Sequence, residues 1–323
     1  MQKVIKIHKT GSIKNMRFED SFLSAPKNHE VTIRHQAIGV NFLDIIHRQG
    51  RIDIAKPFIL GVEGSGFVER VGKSVKGFKI GDRVAYAALP SGSYSECRNI
   101  DSLQVIKLPR FISFENAAAI MLKGLTAEYL LHQTYRVSRS TTILIHAAAG
   151  AMGLILSQWA KKIGATVIGV VSTRKKKELA LKNGCDHVII YKNGSFAKKV
   201  LAITKNDGVD VVYDGIGKNT FRGSVACLAP LGHLVSFGQA SGPIQGIDIN
   251  ILMEKSNTIT RPSLFVYTGN RKRLERMAGR LFRAIKKKKF KIRINQKFQL
   301  KHADIAHQKI QSRLTTGSTI LLP

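Results

Sequence analysis

Thr141-Thr142-Ile143-Leu144-Ile145-His146-Ala147-Ala148-Ala149-Gly150-Ala151-Met152-Gly153 is the stretch that decides the fold. An apolar, β-rich run ends in a tract of small residues. A helical pattern follows through Leu156, Trp159, Ala160 and Ile163. The spacing predicts a strand, a tight turn and a helix N-terminus. Small residues let a backbone approach a pyrophosphate, and the unpaired N–H groups and positive dipole end of the helix hold the anion. The match to G-x-G-x-x-G is imperfect, because Ala148 stands at the first glycine, and alone it would be weak.

The residues that follow strengthen it. Ala165-Thr166-Val167-Ile168-Gly169-Val170-Val171 reads as the second strand of a βαβ unit. An Asp or Glu at its end would bind the ribose 2′-hydroxyl and favour NAD. Here Ser172-Thr173-Arg174-Lys175-Lys176-Lys177 follows, and no carboxylate appears before Glu178. Hydroxyls and cations at that point suit a 2′-phosphate, so the cofactor inferred is NADPH. A solvated basic start to the next helix is the weaker alternative.

Working outward, the strands expected at 142–147, 165–171, 187–190, 209–213 and 233–237 alternate with helical runs. That alternation implies a doubly wound parallel sheet over about 121–261. The part before about residue 120 is Gly-rich and strand-like, with strands expected at Val31–Arg34, Gly66–Val71 and Arg83–Tyr86. The part from about 262 carries a basic amphipathic helix and returns to strand at Thr319–Leu322. At 323 residues, 44% of them hydrophobic, the chain can bury two domain cores. No apolar run is long enough to span a membrane, so no membrane insertion is expected. The charged start, Met1-Gln2-Lys3-Val4-Ile5-Lys6-Ile7-His8, does not suit a signal peptide. Cys97, Cys185 and Cys227 are scattered and odd in number, which points to a reducing, cytoplasmic setting without disulfides or a C-x-x-C zinc lobe.

The charge is unusual. The 52 Lys+Arg less 21 Asp+Glu leave +31. Such a field attracts polyanions, nucleic acid among them. One concentration lies on the helix near the C-terminus, where Arg273, Arg276, Arg280, Arg283 and Lys287 recur on one face. Leu274, Met277, Leu281 and Ile285 recur on another. No aromatics interleave the cations as a single-strand platform would require, so a solvated face is favoured over a nucleic-acid site.

The chain resembles the zinc-free, ζ-crystallin-like quinone oxidoreductases of the medium-chain dehydrogenase/reductase superfamily, nearly end to end. The resemblance rests on Ala37-Ile38-Gly39-Val40-Asn41-Phe42-Leu43-Asp44, Gly61-Val62-Glu63-Gly64-Ser65-Gly66 and Phe78-Lys79-Ile80-Gly81-Asp82-Arg83-Val84. It continues in Leu122-Lys123-Gly124-Leu125-Thr126-Ala127 and in the Ala-rich loop with Gln158 and Lys161 beyond it. Val235-Ser236-Phe237-Gly238, Arg261-Pro262-Ser263-Leu264 and Ser312-Arg313 complete it. It implies an α/β protein with a GroES-like partial β-barrel domain at 1–120 and 262–323. A doubly wound Rossmann NADP-binding domain at 121–261 would complete the chain. A homodimer is also implied. Where zinc-dependent relatives carry a Cys and a His, this chain has Asn41 and Val62, which cannot build a tetrahedral zinc site. Without that Lewis acid, an acceptor that is already electrophilic fits better: a quinone, or alternatively a conjugated C=C bond.

The same resemblance implies roles for individual residues. Asn41, Phe42 and Asp44 lie beside the nicotinamide and ribose, and Tyr129 touches the cofactor. Gly150, Ala151, Met152 and Gly153 form the pyrophosphate turn. Ser172, Thr173, Lys176 and Tyr191 hold the 2′-phosphate. Phe237, Gly238 and Gln239 line the nicotinamide, and Ser263, Leu264 and Arg313 close the cleft. Three positions depart from the family. Ala151 replaces a second consecutive Gly, which would cost backbone freedom. Ile46 and Ile52 replace frequent tyrosines at the substrate pocket. His47 is a nearby titratable group, though a lone His in an apolar helix is more often structural, and no general acid is assigned.

Overall fold

A computed structural model describes residues 1–191, 196–313 and 315–323. The chain forms two compact units. One comprises Met1–Leu125, Tyr267–Phe282 and Ile292–Pro323, and the other comprises Thr126–Val266 and Arg283–Lys291.

The first unit is built on two sheets. Gln2–Ile7 pairs antiparallel with Met16–Ser21 and with Phe58–Ile59. The larger sheet runs in the order Ile294–Gln299, Ser318–Leu322, Glu30–Val40, Glu63–Val71, Arg83–Ala87 and Ile106–Lys107, with Cys97–Asp101 also paired to Glu30–Val40. Its strands run well past the stretches that β-propensity marks. The reason is glycine: Gly39, Gly64 and Gly66 weaken the sequence signal but permit close crossing. A Cβ on Gly66, for instance, would overlap the Arg34 carbonyl. One core cluster gathers Ile5, Ile7, Ile38, Leu60, Tyr94 and Leu321, and a second gathers Val31, Ile33, Val68, Val84 and Tyr86. Ser318–Leu322 pairs antiparallel with the end of Glu30–Val40, which ties the C-terminus into this unit.

The second unit is a six-stranded parallel sheet. Its order is His187–Ile190, Thr166–Val171, Thr142–His146, Val209–Asp214, Leu228–Ser236 and Thr258–Thr260. These strands read as near-continuous Val/Ile/Leu runs because helices cover both faces. The order reverses between Thr142–His146 and Val209–Asp214, so the carboxyl ends of those strands frame a crevice. Leu228–Ser236 starts five residues earlier than expected. Pro230 and Gly232 are turn-forming residues, and the structure keeps the kink within the strand by placing Leu231 at φ 61°.

The basic amphipathic helix spans Arg271–Lys286. Leu274, Met277, Ala278 and Leu281 are buried, whereas Lys272, Arg276 and Arg283 are exposed. Arg271 donates to the carbonyls of Ser102 (3.2 Å), Leu103 (3.1 Å) and Val105 (2.5 Å), which fixes the start of the helix. Among the described residues, no helix is long and apolar enough to cross a membrane.

Candidate active site and cofactor cradle

In the second unit, the quoted stretch forms the expected strand, turn and helix. Ala147 sits at φ 50°, in the left-handed region that ordinarily favours glycine. Its carbonyl accepts from Gly150 N–H at 2.8 Å, and Ala148 N–H donates to Val170 at 3.1 Å, so the turn is pinned to the neighbouring strand. Gly150 caps the helix Ala151–Ile163 without a side-chain hydrogen bond, which leaves its first N–H groups for an anion. Ala151 opens this helix with ordinary helical backbone, so no glycine is required there. Gly153 is different. A Cβ there would fall 2.6 Å from Ala148 Cα and would overlap the Ala147 carbonyl oxygen. The helix therefore starts this close to the turn only because Gly153 lacks a side chain.

Ser172, Thr173 and Lys176 follow the next strand. Thr173 caps the helix Arg174–Leu181, its hydroxyl accepting from Lys176 N–H at 3.3 Å. Lys176 Nζ lies 3.4 Å from Ser172 Oγ. Tyr191 N–H donates to the Val171 carbonyl at 2.8 Å, and its ring packs edge-on against Phe196, with 5.3 Å between centroids. The Ser172 hydroxyl and the Lys176 ammonium thus stand together at the end of the second strand, beside the Thr173 cap. These donors and the Gly153 turn fit a dinucleotide phosphate.

Phe237, Gly238 and Gln239 leave the strand Leu228–Ser236 half-buried. Gly238 N–H donates to Asp214 O at 3.3 Å. The Phe237 ring lies over Gly215, where a Cβ would come within 2.9 Å of it. Ser236 Oγ is buried without a partner, beside this trio. Ser263 is exposed, while Leu264 is buried and opens the short helix Leu264–Thr268. Tyr129, 2% exposed, ends the helix Phe114–Tyr129.

In the first unit, Asn41 and Phe42 stand where the strand Glu30–Val40 turns into the helix Phe42–Arg48. The Asn41 amide is oriented by its neighbours. Lys123 Nζ, which can only donate, lies 2.6 Å from Asn41 Oδ1. The Glu63 carboxylate accepts from Asn41 Nδ2 at 2.8 Å. Glu63 also accepts from Leu122 N–H at 2.7 Å and lies 3.4 Å from Lys123 Nζ. The resemblance sets Asn41 and Val62 against the Cys and His of zinc-dependent relatives. The atom that meets Asn41 is an ammonium, which repels a metal cation, and Val62 is fully buried. Among the described residues, no three His, Cys, Asp or Glu side chains group as a metal site. Arg313 lies beyond the helix Ala303–Gln311 at φ 58°.

Asp44 is fully buried, at the third position of its helix. Its Oδ2 accepts from Asn41 N–H at 2.8 Å and from Tyr94 OH at 3.1 Å, and Oδ1 has no partner among the described residues. A one-way hydrogen-bond chain feeds it. Arg48 Nε can only donate, so His307 Nδ1 accepts from it at 3.3 Å and Nε2 carries the proton. Nε2–H then donates to the Tyr94 oxygen at 3.0 Å, which leaves the phenolic proton for Asp44. Burial lowers the His307 pKa to about 3, aided by Arg48, so this imidazole is neutral. His47 is likewise lowered to about 4 by burial, so it carries no imidazolium proton at neutral pH.

Burial raises the Asp44 pKa from 3.8 to about 7, against the two hydrogen bonds it accepts. Because the folded value exceeds the unfolded one, the stability this group adds is complete below the unfolded pKa. It is lost as pH rises through about 7. Asp44→Asn keeps an oxygen for Asn41 N–H but cannot ionise. Between about pH 4 and about pH 8, its unfolding free energy should therefore gain about 4 kcal/mol relative to the parent. Denaturant titrations at both pH values check this, and parallel pH profiles would count against a buried carboxyl that titrates.

Two family profiles match the chain: an alcohol dehydrogenase GroES-like domain over residues 27–142 and a zinc-binding dehydrogenase over 151–282. A quinone oxidoreductase from Pseudomonas aeruginosa is 45% identical over 325 aligned residues, covering 100% of both chains. The crystal structure of Escherichia coli quinone oxidoreductase complexed with NADPH superposes with a TM-score of 0.97. It is 41% identical, over 99% of this chain and 100% of the other. The chain belongs to the quinone oxidoreductase family of medium-chain dehydrogenases/reductases. A family relative, 2-haloacrylate reductase from Burkholderia sp, is 42% identical over 98% of each chain.

Within this family fold, Glu63, Lys123, Tyr94, His307 and Arg48 form the buried polar network around Asn41 and Asp44. None of them stood out as a site residue in the sequence. Glu63 and Lys123 did leave a signal, since each is a charge within an otherwise small or apolar run. Tyr94 and His307 left none, because only the fold brings them together.

Proposed function

We infer that the protein is a zinc-independent NADPH:quinone oxidoreductase. What supports this most is the pair Ser172 and Lys176 at the end of the second Rossmann strand, on a chain that aligns end to end with quinone oxidoreductases. When bound, the reduced nicotinamide supplies the hydride. The chain's own share is to bind, orient and exclude water. Gly150–Gly153 receive the pyrophosphate, and Ser172, Thr173, Lys176 and Tyr191 receive the 2′-phosphate. To the rest of the cofactor we assign Asn41, Phe42, Asp44 and Arg313 of the first unit and Tyr129, Phe237, Gly238, Gln239, Ser263 and Leu264 of the second. We read the assembly as a homodimer and the location as cytoplasmic, since all three cysteines are buried and unpaired.

The test is a titration followed by nicotinamide fluorescence. NADPH should bind far more tightly than NADH. Lys176→Ala should raise the NADPH Kd by about tenfold or more and leave NADH binding unchanged, because only the 2′-phosphate is lost as a partner. Equal binding of both nucleotides would remove the 2′-phosphate site, and NADPH oxidation with no small quinone would remove the activity. The rival reading, reduction of a conjugated C=C bond, is favoured by the relation to a 2-haloacrylate reductase. It would appear as a higher kcat/KM for enones than for quinones.

A further inference from the structure

We propose that Lys123 is the acid of the reaction: its ammonium binds the acceptor's carbonyl oxygen and passes it a proton as hydride arrives. This rests on the quinone reductase reading above.

The argument begins with the unspent valence of a buried cation. The Lys123 side chain is 9% exposed, and that of its ion-pair partner Glu63 is 0% exposed. An ammonium carries three N–H donors. One goes to Asn41 Oδ1 at 2.6 Å and one toward Glu63 Oε2 at 3.4 Å. Among the described residues, no third acceptor meets it. The third donor, on a side chain nine-tenths buried, is thus available to an oxygen from outside the chain.

The surroundings preorganise that donor. Glu63 is fixed by Leu122 N–H and Asn41 Nδ2, and Asn41 by the end of its strand, so the ammonium is held on both sides. A fixed positive charge in a low-dielectric site stabilises a developing oxyanion without reorganising. His47 and His307 are neutral, and neither competes for that role.

The balance is simple. The quinone gains a hydride, which is two electrons and a proton, from the reduced nicotinamide. One Lys123 N–H bond breaks as the O–H bond forms, giving the hydroquinone. The neutral amine then takes a proton from water.

The test combines Lys123→Met with a probe that needs no turnover. 4-Nitrophenolate imitates the oxyanion and can be titrated into the protein by its visible absorbance. The parent should bind it about tenfold more tightly than Lys123→Met does, and Lys123→Arg should retain that preference. With NADPH and a quinone, Lys123→Met should lower kcat by about 100-fold, far more than the few-fold change in NADPH Kd that a less firmly held Asn41 would bring. The double variant Glu63→Gln/Lys123→Met removes both charges together and should behave alike, which covers the case in which the single variant fails to fold. Equal phenolate affinity in parent and variant, or a kcat within a few-fold of the parent, would overturn the role of Lys123. Absence of quinone turnover in the parent would instead overturn the activity, and the phenolate titration would still report on the lysine.

Discussion

Gly153→Val is expected to abolish measurable NADPH binding, a loss of about 100-fold or more. A Cβ at this position would lie 2.6 Å from Ala148 Cα and 2.7 Å from Ala148 C, distances real side chains do not adopt. Both opposing atoms are backbone, so no rotamer change relieves the clash. Ala148 cannot retreat easily, because its N–H is bonded to Val170 in the neighbouring strand. Relief must come from moving the helix start, which withdraws the N–H groups that face the phosphate. Ala151→Gly two residues earlier is the control. Ala151 already has helical backbone, so that change costs at most about 1 kcal/mol and leaves the affinity near that of the parent. Fluorescence titration of the two variants measures the contrast. A Gly153→Val variant that binds like the parent would show that the phosphate lies elsewhere.

That pair of positions shows what sequence can reveal. The strand, turn and helix of 141–163 were legible because the apolar period changes from that of a strand to that of a helix across a tract of small residues. Which small residue matters was not legible. The family resemblance marks Ala151 as the departure, but its backbone is helical, and the steric demand falls on Gly153 through a contact with Ala148. The parallel sheet was equally plain, since short Val/Ile runs alternating with helical stretches suit strands buried on both faces. The kink at Pro230-Leu231-Gly232 was not, because a kink inside a strand and a turn outside one use the same residues. The basic segment after Val171 announced its chemistry by position and charge. In the first unit, by contrast, Asp44, Tyr94, His307 and Arg48 share no spacing. Their one-way chain exists only because the helix Ala303–Gln311 packs beside the helix Phe42–Arg48, and local patterns carry no information about such encounters.

Gly39→Ala should be the most damaging small substitution in the first unit. Gly39 faces Glu63 across the antiparallel pair of strands. A methyl group there would come within 2.6 Å of Glu63 Cδ and overlap both a Glu63 carboxylate oxygen and the Ala118 carbonyl. The Ala118 carbonyl is backbone, so the carboxylate must give way. In moving, it leaves Lys123 without its counterion and Asn41 Nδ2 and Leu122 N–H without an acceptor. Separating one member of a buried ion pair costs about 3–5 kcal/mol, far beyond the strain of one extra methyl group. Glu63→Gln distinguishes the two contributions. It keeps the volume and one acceptor oxygen but removes the charge, so it should lose less stability than Gly39→Ala while still weakening quinone turnover. Denaturant unfolding of both variants, beside their kcat, reads the difference. A Gly39→Ala protein within about 1 kcal/mol of the parent would mean the Glu63 carboxylate can relocate without loss, and that the Asn41–Lys123–Glu63 geometry is not held by this glycine.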